Sequence, residues 1–457
     1  MGIFAKVDPK EETAIMLGEP RKAIFHMVIP FMISIMVAQV NMLADMAWCS
    51  GLGSESISAI QAVNPLYWVI FDVGIGMGLG CNVMISRHIG AGNLDGARNT
   101  VSQGVVLSIV SAVILAPFVF LLIDPMMAWM GAEEVADLGA SYLTPILICN
   151  IAQVMTPTLA GFLRGEGAAR RSNHVMMSGT MANIILDPIL IYAMNMGVAG
   201  AGIATAMANV ISTVLMLYLY FSKRTTVPMS FKGYRFDPGC VKDIMHIGAP
   251  KLTEMFLMDV LDAINRLFVI QCAGIDGVVL FSLPFRMAMF AVIIHNSFAM
   301  SLTPVASANL GAKRPEKSIE AYKLCIRVAI TASVVVMAVF LLFAQWIVIP
   351  FSVSETMIPL REELATILRV NAFMIPAVGM VFVSNAMLQA MRLPMYSLLI
   401  SFTRTGLTSL MLGLLCDTSI EIMCAGMVFA CFVAAVLAFG ITRSKIRQLR
   451  KSYECIS

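Results

Sequence analysis

The sequence predicts an all-α polytopic membrane protein, with twelve transmembrane helices in two six-helix lobes related by a pseudo-twofold along the membrane normal. Three observations carry that reading: the composition, the spacing of the apolar runs, and an internal repeat. The chain has 457 residues, 59% of them hydrophobic and 13% charged. Its mean hydropathy is +0.84. Soluble domains lie nearer about half apolar and about a quarter charged, so a bilayer is the solvent that fits. The formal net charge of +3 says little by itself.

A span needs about 20 apolar residues. Runs of that kind lie near 24–45, 57–82, 100–123, 138–163, 174–194 and 198–221, and again near 244–272, 277–300, 319–349, 364–391, 395–415 and 420–442. The first run is longer than a signal-peptide core and no A-x-A site precedes it, so it reads as a retained span. The polar stretch 222–243 divides the chain. The organisation expected is a cytoplasmic segment 1–23, an N-lobe 24–221, an inter-lobe loop 222–243, a C-lobe 244–442 and a basic tail 443–457.

Lysine and arginine set the orientation. The even-numbered loops are basic, with Arg87, Arg98, Arg164, Arg170, Arg171, Lys223, Arg224, Lys313, Arg314 and Arg392. The tail is basic too, with Arg443, Lys445, Arg447, Arg450 and Lys451. The odd-numbered loops are acidic or neutral, Arg361 excepted. Both termini are therefore expected in the cytoplasm, in the plasma (inner) membrane, which requires an even number of spans.

The halves echo one another. Pro30 and Pro250 are 220 positions apart, and Asn64-Pro65 answers Leu283-Pro284. ISRHIGAGNLDGA at 85–97 answers ASANLGAKRPEKS at 306–318. Two halves of six spans enter the membrane in the same sense, which places a cavity between parallel repeats and favours alternating access by rocking.

Ionisable groups inside spans are costly and usually face the interior. Asp45 ends the first span, with Asn41 one turn earlier on the same face. A water-facing interface position is the plainer account of Asp45. Asn183 and Asp187 are four apart in the fifth span, and Pro188 weakens the ladder there. Thr205 and Asn209 repeat the spacing in the sixth. A carboxylate among amides and hydroxyls can carry a proton, coordinate a hard cation, or simply pack. The seventh span is the most polar, with Lys251, Glu254, Asp259, Asp262, Asn265 and Arg266 on one arc, and Asp262 spaced to pair with Arg266. Arg286 in the eighth span is a candidate countercharge. Asp72 in the second span is a candidate cavity residue, among glycines 74, 76, 78 and 80 that read as close helix packing. His295 reads as a packing histidine or a proton relay.

The ten cysteines show no CxxC spacing and read as small apolar filler, and the 37 methionines as filler or as the soft lining of a promiscuous cavity. No Walker loop, HExxH or GxSxG occurs, so an enzyme is not expected, and no nucleic-acid partner either. Without an ATPase motif, uphill transport must draw on an ion gradient.

The opening span with its proline and terminal acid resembles the multidrug and toxic compound extrusion (MATE) transporters. The resemblance continues through SRHIGAGNLDGA, FLRGEGAARRS, NIILDPILIY, GVAGAGIATAMANV, GAPKLTE and NLGAKRPEKS, over essentially the whole chain. It implies two six-helix lobes around a central cavity and export of organic cations or other amphipathic toxins against protons or sodium. It implies no cofactor, no bound metal beyond a transported Na+, small-molecule partners in a lipid bilayer, and a monomer. The DinF-like branch builds its N-lobe cation site from acids of the first and fifth spans with an Asn and a Thr, and Asp45, Asn183, Asp187 and Thr205 stand at matching places. Glu254 resembles the seventh-span glutamate of the NorM-like branch, with Asp259, Asp262 and Asn265 beyond it. That branch also uses a tenth-span acid, which is missing within 364–391, where only Asn371, Asn385 and Gln389 stand. Coupling through the N-lobe is the expectation, with Asn41, Asp72, Asn209, Arg286 and His295 as candidate cavity residues. A related exporter of lipid-linked or larger amphipathic substrates is the alternative.

Overall fold

A computed structural model describes residues 9–222, 224–352 and 357–454, and only the backbone of Pro9, Ile275 and Asp276. Residues 1–8 of the N-terminal segment, Lys223 of the linker and 455–457 of the tail lie outside it.

The described residues form helices and no strand. A short helix α1 (Pro9–Leu17) precedes α2 (Pro20–Ser50), α3 (Ser54–Gly90) and α4 (Leu94–Leu121). After a seven-residue helix α5 (Ile123–Trp129) come α6 (Ala136–Ile148) and α7 (Asn150–Gly165), bent by 59° into one broken span. Next are α8 (Ala169–Pro188) and α9 (Gly197–Phe221). Pro188 closes the regular part of α8, and a π-helical turn over Ile189–Ala193 follows it, as expected where a missing N–H breaks the ladder. The second half comprises α10 (Pro238–Gly311), α11 (Pro315–Val348), α12 (Arg361–Ala372), α13 (Met374–Ala390), α14 (Pro394–Leu414) and α15 (Ile420–Glu454). α10 is two spans in sequence, since Ala273 and Gly274 leave helical geometry (φ −141° and +65°).

Among the described residues, ten helices are long and apolar enough to cross a membrane, and the bent pair makes eleven. The twelfth is the first arm of α10, which holds Lys251, Glu254, Asp259, Asp262 and Arg266 and is the most polar of the spans. The chain is an all-α polytopic membrane protein of twelve spans. It divides into two compact units, Met1–Leu252 with Ser307–Lys313, and Thr253–Ala306 with Arg314–Ser457.

In the first unit, α3 is the central helix and its glycines explain why. Gly74 and Gly78 lie against the backbone of α7, and Gly76 and Gly80 against the start of α10 at Gly248 and Ile244. Alternate glycines on one helix thus admit two neighbours on two faces. The repeated GA motifs also touch reciprocally: a Cβ on Gly90 would strike the Ala308 carbonyl, and one on Gly311 the Arg87 carbonyl. Gly90→Leu is expected to cost about 1–3 kcal/mol or more through overpacking. Thermal unfolding in detergent checks this against Gly440→Ala, whose added carbon meets nothing within 4 Å.

The linker is bonded along its length to this same unit. The Thr226 amide donates to Glu166 Oε2 at 2.8 Å. Ser102 donates to the Ser230 carbonyl at 3.0 Å, and Gln103 to the Arg235 carbonyl at 2.6 Å. Tyr234 donates to Gln103 Oε1 at 2.9 Å, and Asn99 to Asp237 at 2.7 Å. Asp237 then caps α10, accepting from the Gly239 and Cys240 amides. The Cys240 amide and the Asn99 side chain hold the Asp237 carboxyl below its usual range.

Candidate coupling site in the first unit

α2 and α8 pack side by side and run in the same direction from their polar ends. Residues four apart on each helix therefore meet their counterparts at one level. Asn41 Nδ2 donates to Asp45 Oδ2 at 2.9 Å and to Asn183 Oδ1 at 3.1 Å. Asn183 Nδ2 donates to Asp187 Oδ1 at 3.3 Å. The Asp45 and Asp187 carboxyls face each other at hydrogen-bonding range. Asn183 and Asp187 are buried, and Asp45 is half-buried. The structure thus gathers Asp45, Asn41, Asn183 and Asp187 into one bonded cluster.

Thr205 and Asn209 stand on α9 outside this bonded cluster. Tyr142 lies beside Thr205 and Tyr67 beside Asn209, and the Asp45 charge reaches both phenols. Asp72 is buried on α3, where its charge also acts on Tyr67. Sequence reasoning missed both tyrosines. The signal was available: a tyrosine inside an apolar run must find a partner for its hydroxyl. It also missed Tyr192, whose hydroxyl donates to the Trp48 carbonyl and whose ring meets Trp48 edge-on at 6.4 Å. That contact ties the end of α2 to the turn after α8 and holds Asp45 level with Asp187.

In the second unit, Ser401 on α14 donates to Glu254 Oε1 at 2.8 Å, and Asn385 on α13 donates to Ser401 at 2.9 Å. Glu254 is buried there. Asp259, Asp262 and Arg266 are exposed, and Arg266 donates to Asp262 at 2.8 Å. Asn265 is buried too, on the same face of the helix as Glu254, eleven residues earlier. The seventh-span residues therefore form a buried Glu254 pocket and a separate exposed ion pair. Arg286 is exposed. His295 is fully buried, with Nε2 against Ser333 Oγ at 2.6 Å and the Ala329 carbonyl at 3.2 Å, and its ring fills the space beside Gly379.

A second buried polar cluster lies at the polar end of α7, outside the spans. Arg171 Nε donates to Glu12 Oε2 at 2.9 Å, its Nη2 donates to the same oxygen, and its Nη1 donates to the Arg224 carbonyl. Thr13 donates to the Glu166 carbonyl at 3.0 Å. Tyr220 donates to Glu166 Oε1 at 3.0 Å. Burial pushes the Glu166 carboxyl up to about 7, against opposing pulls from the Thr226 amide, Tyr220 and Arg171. A raised carboxyl contributes stability that is fully present below the ordinary carboxylate range and is lost as pH rises through about 7. Wild type is therefore expected to lose melting temperature relative to Glu166→Gln between pH 5 and about 8. A pH-independent difference between the two would refute this.

The MatE family model matches residues 30–189 and 250–415. A FAD transporter of Shewanella oneidensis is 25% identical over 425 residues, which are 89% of this chain and 90% of that protein. The multidrug export protein MepA of Staphylococcus saprophyticus is 24% identical over 378 residues, 81% of each chain. Among solved structures, a MATE in complex with MaL6 matches with a TM-score of 0.92 at 29% identity, covering 96% of this chain and 99% of that one. A MOP superfamily transporter from Pyrococcus furiosus matches with a TM-score of 0.91, at the same identity and coverage. With its matched segments spread over both halves, the chain belongs to the MatE family, as an integral membrane transporter and not an enzyme.

Proposed function

We infer that this chain is a secondary antiporter. It exports organic cations or other amphipathic toxins in exchange for protons or sodium, with lobes 24–221 and 244–442 alternating access. It works as a monomer in the plasma membrane with both termini cytoplasmic. The observation that carries this reading is the pair of facing carboxyls, Asp45 and Asp187, on two helices. Two carboxylates at that range repel unless a proton or a cation lies between them. Occupancy of the pair therefore changes the attraction between α2 and α8, and with it the packing of the helix that substrate must pass. By linkage, substrate binding weakens cation affinity by the same factor. Asn41, Asn183 and Thr205 supply further oxygen ligands, and Tyr67, Tyr142, Asn209 and Asp72 line the approach. Glu254, with Asp259, Asp262 and Asn265 further along α10, contacts substrate or a second cation in the C-lobe.

The staphylococcal relatives' name, multidrug export protein, supports the drug class. The FAD transporter among the relatives supports a second reading, export of a larger amphipathic substrate such as a dinucleotide. Proteoliposomes loaded with a fluorescent organic cation or with FAD, under a proton or a sodium gradient imposed separately, decide between them. Gradient-driven loss of the dye supports the first reading and names the ion. Loss of FAD alone supports the second. Release of either that ignores both gradients refutes antiport.

A further inference from the structure

We propose that a groove between α3, α4 and the first arm of α10 holds one acyl chain of a membrane phospholipid, entering from the leaflet at the Leu121 end of α4. The cavity measures about 560 Å³ and lies wholly within the first unit. Its floor is the crossing of α3 and α10, where Gly76 and Gly248 meet backbone to backbone. Val73 and Met77 form one wall, and Leu115 and Phe118 another. Ser111 is the one side chain with a polar atom in the lining.

Depth identifies the occupant. Asn99 bonds to Asp237, so the start of α10 is level with that point of α4. At ~1.5 Å per residue, Met245 stands roughly 12 Å above this level and Leu121 roughly 33 Å. The groove therefore runs for roughly 21 Å along the helices, more than half of a ~30 Å hydrocarbon core. No charged residue occurs on α4 between Arg98 and the end of the helix. At the far end, Ile114 (67% exposed), Phe118 (61%) and Leu121 (73%) make the rim continuous with the apolar surface that the bilayer covers. A cationic drug or a dinucleotide would find no countercharge in this lining, whereas an alkyl chain needs none. The inference rests on the membrane location alone and stands whether or not antiport does.

The test is photolabelling of the whole protein in vesicles containing phosphatidylglycerol with a diazirine in one acyl chain, followed by peptide mapping. Labelling of 111–121 and 245–252 is expected several-fold above the equally lipid-facing stretch of α11 at Val334, Val335, Leu342 and Trp346. A diazirine near the chain's methyl end is expected to favour 245–252, and one near the headgroup the Leu121 end. Ser111→Phe, which fills the groove, is expected to bring both peptides down to the α11 level. Equal labelling of groove and α11 in wild type overturns the proposal without any variant. So does removal of the excess by a drug-like organic cation and not by unlabelled lipid, which would make the groove a substrate entrance.

Discussion

Asp187→Asn is expected to abolish gradient-driven export while leaving the protein folded, with transport falling roughly tenfold or more. The amide keeps the side chain's volume and can still accept from Asn183, so the packing of α2 on α8 survives. What disappears is the second titratable oxygen facing Asp45. An amide neither repels a carboxylate nor exchanges a proton with it, so occupancy no longer changes the force between the helices. The readout is efflux from proteoliposomes alongside thermal unfolding and gel filtration of the same preparation. Full coupled transport by a well-folded variant would remove Asp187 from the coupling machinery. Asp45→Asn is expected to behave alike, because the repulsion belongs to the pair. The double variant should be no worse than either single one, as for residues acting as a unit.

Arg171→Ala is expected to destabilise the protein by about 3–5 kcal/mol, since it strands the buried Glu12 carboxylate without its countercharge. It also removes the donor to the Arg224 carbonyl, so α1 and the linker lose a shared anchor. Glu12→Gln with Arg171→Met removes both charges and should recover much of the loss. Thermal unfolding of the three proteins checks this. Equal losses in the single and the double variant would mean that the ion pair carries no special weight.

The fold was largely legible because a bilayer leaves few choices: apolar run length, loop charge and the spaced glycines each report directly on spanning helices. Two features hid. The α6–α7 span is broken by 59°, which an unbroken apolar run from 138 to 163 does not announce. The first arm of α10 reads as the seventh span from its run at 244–272, but its polar residues on one arc suggest a single site. The structure instead buries Glu254 against Ser401 and leaves Asp262 with Arg266 in an exposed pair. Four-residue spacing made the Asn41–Asp45 and Asn183–Asp187 pairs visible, but not that they bond to each other, because that depends on which helices are neighbours. Arg171 reads from the sequence as a loop charge, and Glu12 carries no signal of its own. Nothing local in either segment reveals a partner 159 positions away.

The stapled linker has a practical corollary for dissecting the chain. Residues 224–237 would pass for a free tether by composition, the obvious place to cut the gene or to insert a reporter. Their backbone carbonyls and amides are instead committed to Ser102, Gln103, Glu166 and Arg171. A reporter inserted there competes with the N-terminal half for its own surface. Fragments meant to reassemble should carry this stretch with the first piece.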